Sequence, residues 1–578
     1  MIGLVAATAA GRRAADRLAR TWPDTRRYDA SASSALPRAF TECDAVVCFL
    51  AVGAAVRLLA PLLGSKHTDP GVVCVDEAQR YAVPVTGAHA GGGNELARRV
   101  AVALGAEPVI TTASDAAGSV ALDDYGADLG FAAEPGSDLA AVGAAVLSGD
   151  RVTLAADAAW PLPPLPPNVV RGDPEPQVPA IVVSDRAGVS GPSGPAVIYR
   201  PPSLVVGLGA SRGVAAAEVT ALIGEALGAA GLSPRSVRQA ATVDLKADEQ
   251  GLLDAVAARN WPLTTFPAAE LALVPVPNPS EAVRAAAGTP SVAEAAAVLA
   301  AGPPSSEPPA GPELVAAKRA SAHATVAIAR ARPRGRLAII GIGPGARDLL
   351  TPRAAAELHR ASVIVGLGQY VEQIADLIRP GATVLASGLG HEQERAAAAV
   401  AEAAAGRAVA LIGSGDAGVY AMASPALELA GETIDVISVP GITASLAAAA
   451  LLGAPLGHDH ALISLSDLHT AWPVIERRIT AAAEADLVTC FYNPASRERD
   501  WQLRKALAIL AACRPPRTPV GWVRDASRPG EAVHIATLAS FDPGGADMRT
   551  LVIVGSSRTR MVAGRMVTPR DYRWAAWP

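Results

Sequence analysis

One glycine-rich loop has the residue types to let a ligand approach the backbone, Gly341-Ile342-Gly343-Pro344-Gly345 after the apolar run RLAII. Further on stand Gly413-Ser414-Gly415-Asp416-Ala417-Gly418-Val419-Tyr420 after RAVALI, and Val439-Pro440-Gly441-Ile442-Thr443-Ala444-Ser445. Glycine admits positive φ and lets a ligand come close to the backbone, so such loops can present amide and carbonyl groups. A lone G-x-G after a strand is equally a tight turn, and Asp416 in its strand-to-helix loop fits an Asx turn. The dinucleotide fingerprint requires G-x-G-x-x-G and an acid about 20 residues on, at the end of the next strand. That strand, SVIVGLGQY, ends without an acid, which disfavours a nicotinamide enzyme.

The first half carries two other polar, turn-rich clusters, Lys66-His67-Thr68-Asp69-Pro70 and Gly87-Ala88-His89-Ala90-Gly91-Gly92-Gly93-Asn94-Glu95, which bracket VVCVD and RYAVPVT. Active-site loops at strand ends have this composition. The plainer reading is a flexible loop with His89 as a helix cap. His458-x-His460 lacks a third ligand at a recognisable spacing, so a loop is expected there and no metal site.

These clusters need a scaffold, and 578 residues at roughly 100 to 200 per domain suggest about three to five domains. Short apolar runs alternate with Ala-rich stretches: DAVVCFL (44–50), SLVVGLG (203–209), RLAIIGIG (336–343), SVIVGLG (362–368), RAVALIGSG (407–415) and RTLVIVG (549–555). That alternation predicts an α/β, multidomain chain with largely parallel sheets. Thr351 and Pro352 predict the cap and first position of a helix. Eight prolines between 161 and 179 exclude a regular core element and suggest a linker or extended excursion. HATVAIARAR (323–332) alternates as a strand returning to the preceding sheet, which places the main boundary nearer 333 than the second Pro-rich stretch at 302–312. The expected domains are 1–125, a middle region 126–200 with the Pro-rich linker, 201–332, 336–456 and 457–578.

Composition excludes several classes. Half the residues are hydrophobic and 18% are charged, which excludes disorder over most of the length. A formal net charge of −5 gives no global basic field for nucleic acid. Five scattered cysteines without a C-x-x-C pair argue against a disulfide framework and fit a reducing cytoplasm. MIGLVAATAAGRRAADRLAR reads as strand, turn and helix, not as a signal peptide. The longest uncharged stretch, 436–457, is broken by Pro440, Gly441, Gly453 and Pro455, which favours a buried loop and helix over a membrane span.

With the opening GIGPG, the two further glycine clusters, FYNPASR (491–497) and the closing VIVGSS (552–557), the chain from 336 to about 575 resembles the tetrapyrrole methylases. GHDHALISLSDLHTAW (457–472) followed by FYNPASRER resembles the precorrin-3B C-17-methyltransferase branch. The resemblance implies a two-lobed tetrapyrrole methylase fold with S-adenosylmethionine between the lobes, and a homodimer. It implies that Gly341, Gly343, Pro344 and Gly345 shape the floor of the site, that Gly415, Asp416 and Val419 form a cofactor loop, and that Thr443 and Ala444 flank the ligand. Ala417, Ser556, His469 and Ala471 depart from the family's usual Pro, Asn, Leu and Pro. The implied ring contraction needs proton transfer, for which Asp467, His469, Tyr492 and His458 are the candidates. Arg497, Arg499, Arg524 and Arg528 are candidates for the macrocycle's carboxylates.

The glycine-rich region 50–115, together with GLGASRGVAAAEV (207–219), ATVDLKADEQGLL (241–253) and VPNPSEAVRAAAGTPSVAEAAAVLAAG (276–302), resembles the cobalt-precorrin-5A hydrolases. That family's usual Cys after the second glycine is absent. Lactone opening needs a base for water and donors for the oxyanion, roles that His89, Glu95 and the glycine backbone can fill, with Lys66 or Lys246 on the substrate carboxylates. The other reading makes this half a non-catalytic tetrapyrrole-binding or scaffolding module. A lactone hydrolase has a task in the cobalt-early route, which leans the methyl acceptor toward cobalt-factor III over precorrin-3B. A tether between steps that are not consecutive suggests transient contact with other corrin-pathway enzymes.

Overall fold

The computed structural model describes residues 1–65, 68–88, 91–189, 193–302, 311–496 and 500–570. They form two compact units, one of Met1–Ala158, Pro163–Pro333 and Arg379–Gly381, the other of Ala159–Leu162, Arg334–Ile378 and Ala382–Pro578.

The first unit holds three sheets. In the first, the strands run in the order Thr25–Tyr28, Ile2–Ala6, Ala45–Phe49, Gly71–Val75, Tyr81–Thr86, Glu107–Pro108, and only the Gly71–Val75/Tyr81–Thr86 pair is antiparallel. Successive side chains go to opposite faces, so Leu4, Val47 and Val73 pack with Leu18 and Leu96, while Val5, Val46 and Val72 pack with Leu36 and Leu59. Burial on both faces explains why these strands read as continuous apolar runs.

The second sheet contains Ala132–Ala133, Ala196–Arg200, Ala180–Val183, Val152–Ala156 and Val169–Arg171. Its last strand lies inside the Pro-rich stretch, where no regular core element was expected, and is a three-residue, largely exposed edge strand. It pairs parallel with Val152–Ala156 at the sheet edge, where flanking prolines remove no ladder hydrogen bond. In the third sheet Leu204–Ala210, Val237–Val243 and Leu263–Phe266 are parallel, and Ala324–Arg330 returns antiparallel beside Leu204–Ala210. Buried Asp185 joins the second and third sheets, accepting from Arg330 Nε (2.7 Å) and NH2 (2.9 Å) and from Ser203 Oγ (2.7 Å).

The second unit has two lobes. The first is an all-parallel sheet in the order Thr383–Ser387, Val363–Leu367, Ala408–Gly413, Arg336–Gly341, Asp435–Val439. Helix Pro352–Arg360 starts with the Thr351 side chain accepting from Ala354 N at 3.2 Å. The second lobe orders His460–Ser464, Val488–Tyr492, Thr550–Val554, Pro519–Arg524, Ala532–Thr537, and only its first pair is parallel. The largely parallel pairing expected of the chain does not extend to this lobe, because strands such as Pro519–Arg524 and Ala532–Thr537 are joined by a loop too short for a crossover helix. The uncharged stretch divides into strand Asp435–Val439 and helix Ala444–Leu452, whose Ala448 and Leu452 pack on Cys490, Val523 and Ile553. Among the described residues no helix is long and apolar enough to cross a membrane.

Candidate active site

Strands Ala408–Gly413, Arg336–Gly341 and Asp435–Val439 are parallel neighbours, so the three glycine clusters leave the same sheet edge. Carboxyl edges of parallel sheets are where such folds bind ligands. Gly343 N donates to Gly415 O at 3.0 Å and Gly415 N to Gly343 O at 2.8 Å, which locks the first two loops together. The third fits beneath them: a Cβ on Gly441 would lie 2.1 Å from Gly415 O and 2.6 Å from Gly341 O. Only glycine fits at this crossing.

Asp416 links two of the loops. One carboxylate oxygen accepts from Gly418 N at 2.8 Å, an Asx turn, and the other from Gly441 N at 3.0 Å. Val419 N closes the same turn on Asp416 O at 3.2 Å. Thr443 is the N-cap residue of helix Ala444–Leu452, but its side chain accepts no capping hydrogen bond. The Tyr492 hydroxyl takes that role from the other lobe, accepting from Ser445 N at 3.0 Å and lying 2.7 Å from Thr443 Oγ1.

Arg528, expected on substrate carboxylates, instead ties the lobes at a second point. Its Nε donates to Pro344 O at 2.5 Å and its NH2 to Ser414 Oγ at 2.7 Å, with its aliphatic stem against Gly345. Both partners are 114 residues or more away in sequence, so no local spacing announces the contact. Tyr420, at φ 53°, donates its hydroxyl to Leu462 O at 2.7 Å, and its ring centroid is 5.2 Å from that of Tyr492. A tyrosine in left-handed conformation is strained and is held by its surroundings.

On the second lobe, Asp467 accepts from Gln502 Nε2 at 3.1 Å, and Asn493 Nδ2 donates to Ser464 Oγ at 3.1 Å. His469 is exposed in the turn that follows Asp467. His458 is also exposed and its Nδ1 accepts from Asp459 N at 2.8 Å. Arg497 and Arg499 lie outside the described residues.

In the first unit the antiparallel pairing of Gly71–Val75 with Tyr81–Thr86 brings the loops before and after them to one edge. Gly93 N donates to Gly87 O at 2.8 Å and Asn94 N to Ala88 O at 2.9 Å. Asn94, to which the sequence assigned no role within its cluster, is 4% exposed and donates to Thr112 Oγ1 and Asp115 Oδ2, both at 3.1 Å. Glu95 is exposed, 3.8 Å from Arg98 NH1. Lys66 and His89 lie outside the described residues. Lys246 sits apart, at the end of the 3-10 turn Asp244–Lys246 that follows strand Val237–Val243, 3.9 Å from buried Glu249, which accepts from Gly213 N at 2.9 Å.

Replacing Asp416 by alanine removes the acceptor of two main-chain N–H groups and unpins the second loop from the third. With S-adenosylmethionine, the cofactor the resemblance implies, the expected result is binding weaker by at least about tenfold by calorimetry with the fold retained by circular dichroism, since loss of even one hydrogen bond to a charged group forfeits about 1.5–3 kcal/mol. Asp416→Asn, which keeps the acceptor for Gly418, should recover part of the loss.

Residues 336–542 match the family model described as Tetrapyrrole (Corrin/Porphyrin) Methylases, 204–329 that described as Cobalamin synthesis G C-terminus, and 34–115 that described as Cobalamin synthesis G N-terminal. The chain is 48% identical over 239 residues to a probable cobalt-factor III C(17)-methyltransferase of Salmonella typhimurium, covering 41% of this chain and 99% of the relative. A precorrin-3B C(17)-methyltransferase of Sinorhizobium sp is 39% identical over 253 residues, 42% of this chain and 99% of the relative. The cobalamin biosynthesis protein CobIJ of Mycobacterium bovis is 43% identical over 253 residues, 42% of this chain, and the chain spans about half, 49%, of that relative's length. The chain thus belongs, through its C-terminal segment, to the tetrapyrrole (corrin/porphyrin) methylase family, fused behind N-terminal segments of the cobalamin synthesis G, precorrin-5A hydrolase-like, type.

Proposed function

We propose that the second unit methylates C-17 of precorrin-3B or cobalt-factor III at the expense of S-adenosylmethionine and contracts the ring, and that the first unit opens the lactone of cobalt-precorrin-5A. The observation that carries the first half is the meeting of the three glycine loops around Gly343, Gly415 and Gly441. What these loops offer a ligand is main-chain groups with Val419, Ala444 and the Thr443 hydroxyl, since the Asp416 carboxylate is taken up by Gly418 N and Gly441 N and the Arg528 guanidinium by Pro344 O and Ser414 Oγ. That set fits an adenosyl cofactor, which hydrogen-bonds to backbone. When bound, the cofactor supplies an activated methyl group.

Methyl transfer from a sulfonium needs alignment more than acid or base chemistry. Gly341, Gly343, Pro344, Gly345, Gly415, Asp416, Val419, Thr443 and Ala444 set the cofactor side of that alignment. Tyr492 and Arg528 keep the second lobe in register with it through the contacts to Ser445, Pro344 and Ser414. Asp467 and His469 are left for proton transfer, and Arg497 and Arg499 for the substrate's carboxylates. In the first unit we assign water activation to His89 with Glu95, the latter in the first turn of helix Gly93–Leu104; Lys66 or Lys246 holds substrate carboxylates. The same reading makes the chain a cytoplasmic homodimer that other corrin-pathway enzymes contact transiently.

The test is anaerobic incubation of the full chain with S-adenosylmethionine and each acceptor, and separately with the lactone, followed by mass spectrometry. A gain of one methyl group and, in the second arm, of one water is expected. A folded protein that leaves both acceptors unmethylated overturns the first assignment. Tetrapyrrole binding without lactone opening would make the first unit a binding module.

A further inference from the structure

We propose that Gln502 is a positioning residue for Asp467 and that the pair moves a proton during contraction of the macrocycle, an inference that rests on the methyltransferase reading above. Gln502 begins helix Gln502–Cys513 and is 1% exposed, yet its side chain is not packed as an inert filler. Its Nε2 donates to Asp467 Oδ2 at 3.1 Å, and its Oε1 is buried without a hydrogen-bond partner among the described residues. A buried acceptor left open costs about 1–3 kcal/mol, so a residue retained only for packing would be better served by Met or Leu.

The chemistry of a primary amide explains both ends. While Asp467 is a carboxylate, the amide N–H is the end that satisfies it. Once Asp467 has taken a proton, a half-turn of the amide presents Oε1 as acceptor for the new O–H. An arginine or a main-chain N–H would stabilise the anion alone. Gln502 therefore holds Asp467 in one place in both protonation states. In the step itself, an O–H or N–H bond of the macrocycle breaks, its electron pair stays on the heteroatom, and an O–H bond forms on Asp467. Return of the proton to another atom of the macrocycle completes the transfer, with nothing oxidised or reduced.

The surroundings brace this pair on the edge from which Tyr492 reaches the third glycine loop. Leu465 N donates to Tyr492 O at 2.9 Å, just ahead of Asp467. Trp472, which ends the Asp467 loop, meets Trp501, immediately before Gln502, edge-on with centroids 4.7 Å apart. The loop and the helix start are thus joined at two points, by an aromatic pair and by the carboxylate–amide bond.

The experiment is a double-mutant cycle in the full chain with Asp467→Asn, Gln502→Met and both together, reading S-adenosylmethionine affinity, KM for the tetrapyrrole, and kcat for contracted product by its absorption spectrum. Gln502→Met is expected to leave cofactor affinity and KM in place and to lower kcat for contraction about 10- to 100-fold, the equivalent of one hydrogen bond to a charged group. In the Asp467→Asn background the second substitution should add nothing, because Gln502 acts through Asp467. An unchanged kcat in Gln502→Met, or losses that multiply in the double variant, overturns the proposal. Should Gln502→Met lose its fold, Gln502→Glu, which keeps the volume and when protonated one donor and one acceptor, replaces it in the same cycle. If the unaltered chain transfers no methyl group, the methyltransferase reading itself has failed, which is a separate result from failure of the cycle.

Discussion

Gly441→Ala is expected to weaken cofactor binding strongly while leaving the chain folded. The added methyl group would stand 2.1 Å from Gly415 O, 2.6 Å from Gly341 O and 2.7 Å from Gly341 C, all main-chain atoms that cannot rotate aside. Relief requires the third loop to move from the other two by about 1 Å, and misplacement of that size costs on the order of 100-fold where a site works by alignment. The movement also breaks the Gly441 N to Asp416 bond of 3.0 Å, so the second loop loses its tie as well. The rate of methyl transfer should fall at least about 100-fold, and calorimetry should find S-adenosylmethionine affinity reduced by more than in Asp416→Ala, because alanine at 441 drives the third loop from the other two as well as breaking the Asp416 bond. Gly368→Ala is the control: it follows strand Val363–Leu367 on the same sheet, has no positive φ, and a methyl group added there would meet nothing within 4 Å. Its affinity should match that of the unaltered chain; equal losses in both would mean that the sheet edge, not the crossing of loops, sets affinity.

What the sequence shows and hides follows from how far apart the interacting residues lie. RLAII, RAVALI and SVIVGLG are legible as buried strands because both faces are covered, and Thr351-Pro352 is legible as a helix start because cap and helix are adjacent. The glycine clusters are visible as loops, but nothing local says that the strands at 336–341, 408–413 and 435–439 are neighbours. Sheet order comes from packing. Asp416 shows the limit well: its bond to Gly418 is a two-residue pattern that the Asx-turn reading contains, whereas its bond to Gly441 spans 25 residues and needs the fold. Tyr492 and Arg528 lie further along the same scale, reaching Ser445 and Pro344 over 47 and 184 residues. The antiparallel second lobe and the Val169–Arg171 edge strand are hidden for another reason: apolar runs carry no strand direction, and proline statistics describe central strands better than edges.

Glu294→Leu is expected to destabilise the first unit by about 3–5 kcal/mol, the usual cost of removing one partner from a buried charged network. The carboxylate is 0% exposed and gathers several donors: Asn278 Nδ2 at 2.7 Å and Lys318 N at 3.0 Å on one oxygen, Asn278 N at 3.2 Å and Ser291 Oγ at 3.4 Å on the other. Ser291 also accepts from Glu294 N at 3.4 Å, so Ser-x-x-Glu forms a capping pair at the start of helix Val292–Ala301. The strand Glu313–Ala320, which supplies Lys318, is thereby tied to the loop holding Asn278, and Lys318 Nζ adds a bond to Asn278 O at 2.9 Å. Leucine would leave two main-chain N–H groups and the Asn278 amide without an acceptor in a site closed to water. Glu294→Gln, with one acceptor oxygen in place of two, should cost less. Urea unfolding followed by a probe in the first unit, such as Trp261, should show a lower midpoint for Leu than for Gln, and both below the unaltered chain. Because Glu294 lies in a different unit from the three glycine loops, S-adenosylmethionine affinity measured before unfolding should not change; a parallel loss of cofactor binding would show that the stability of the first unit is what holds the methylase site together.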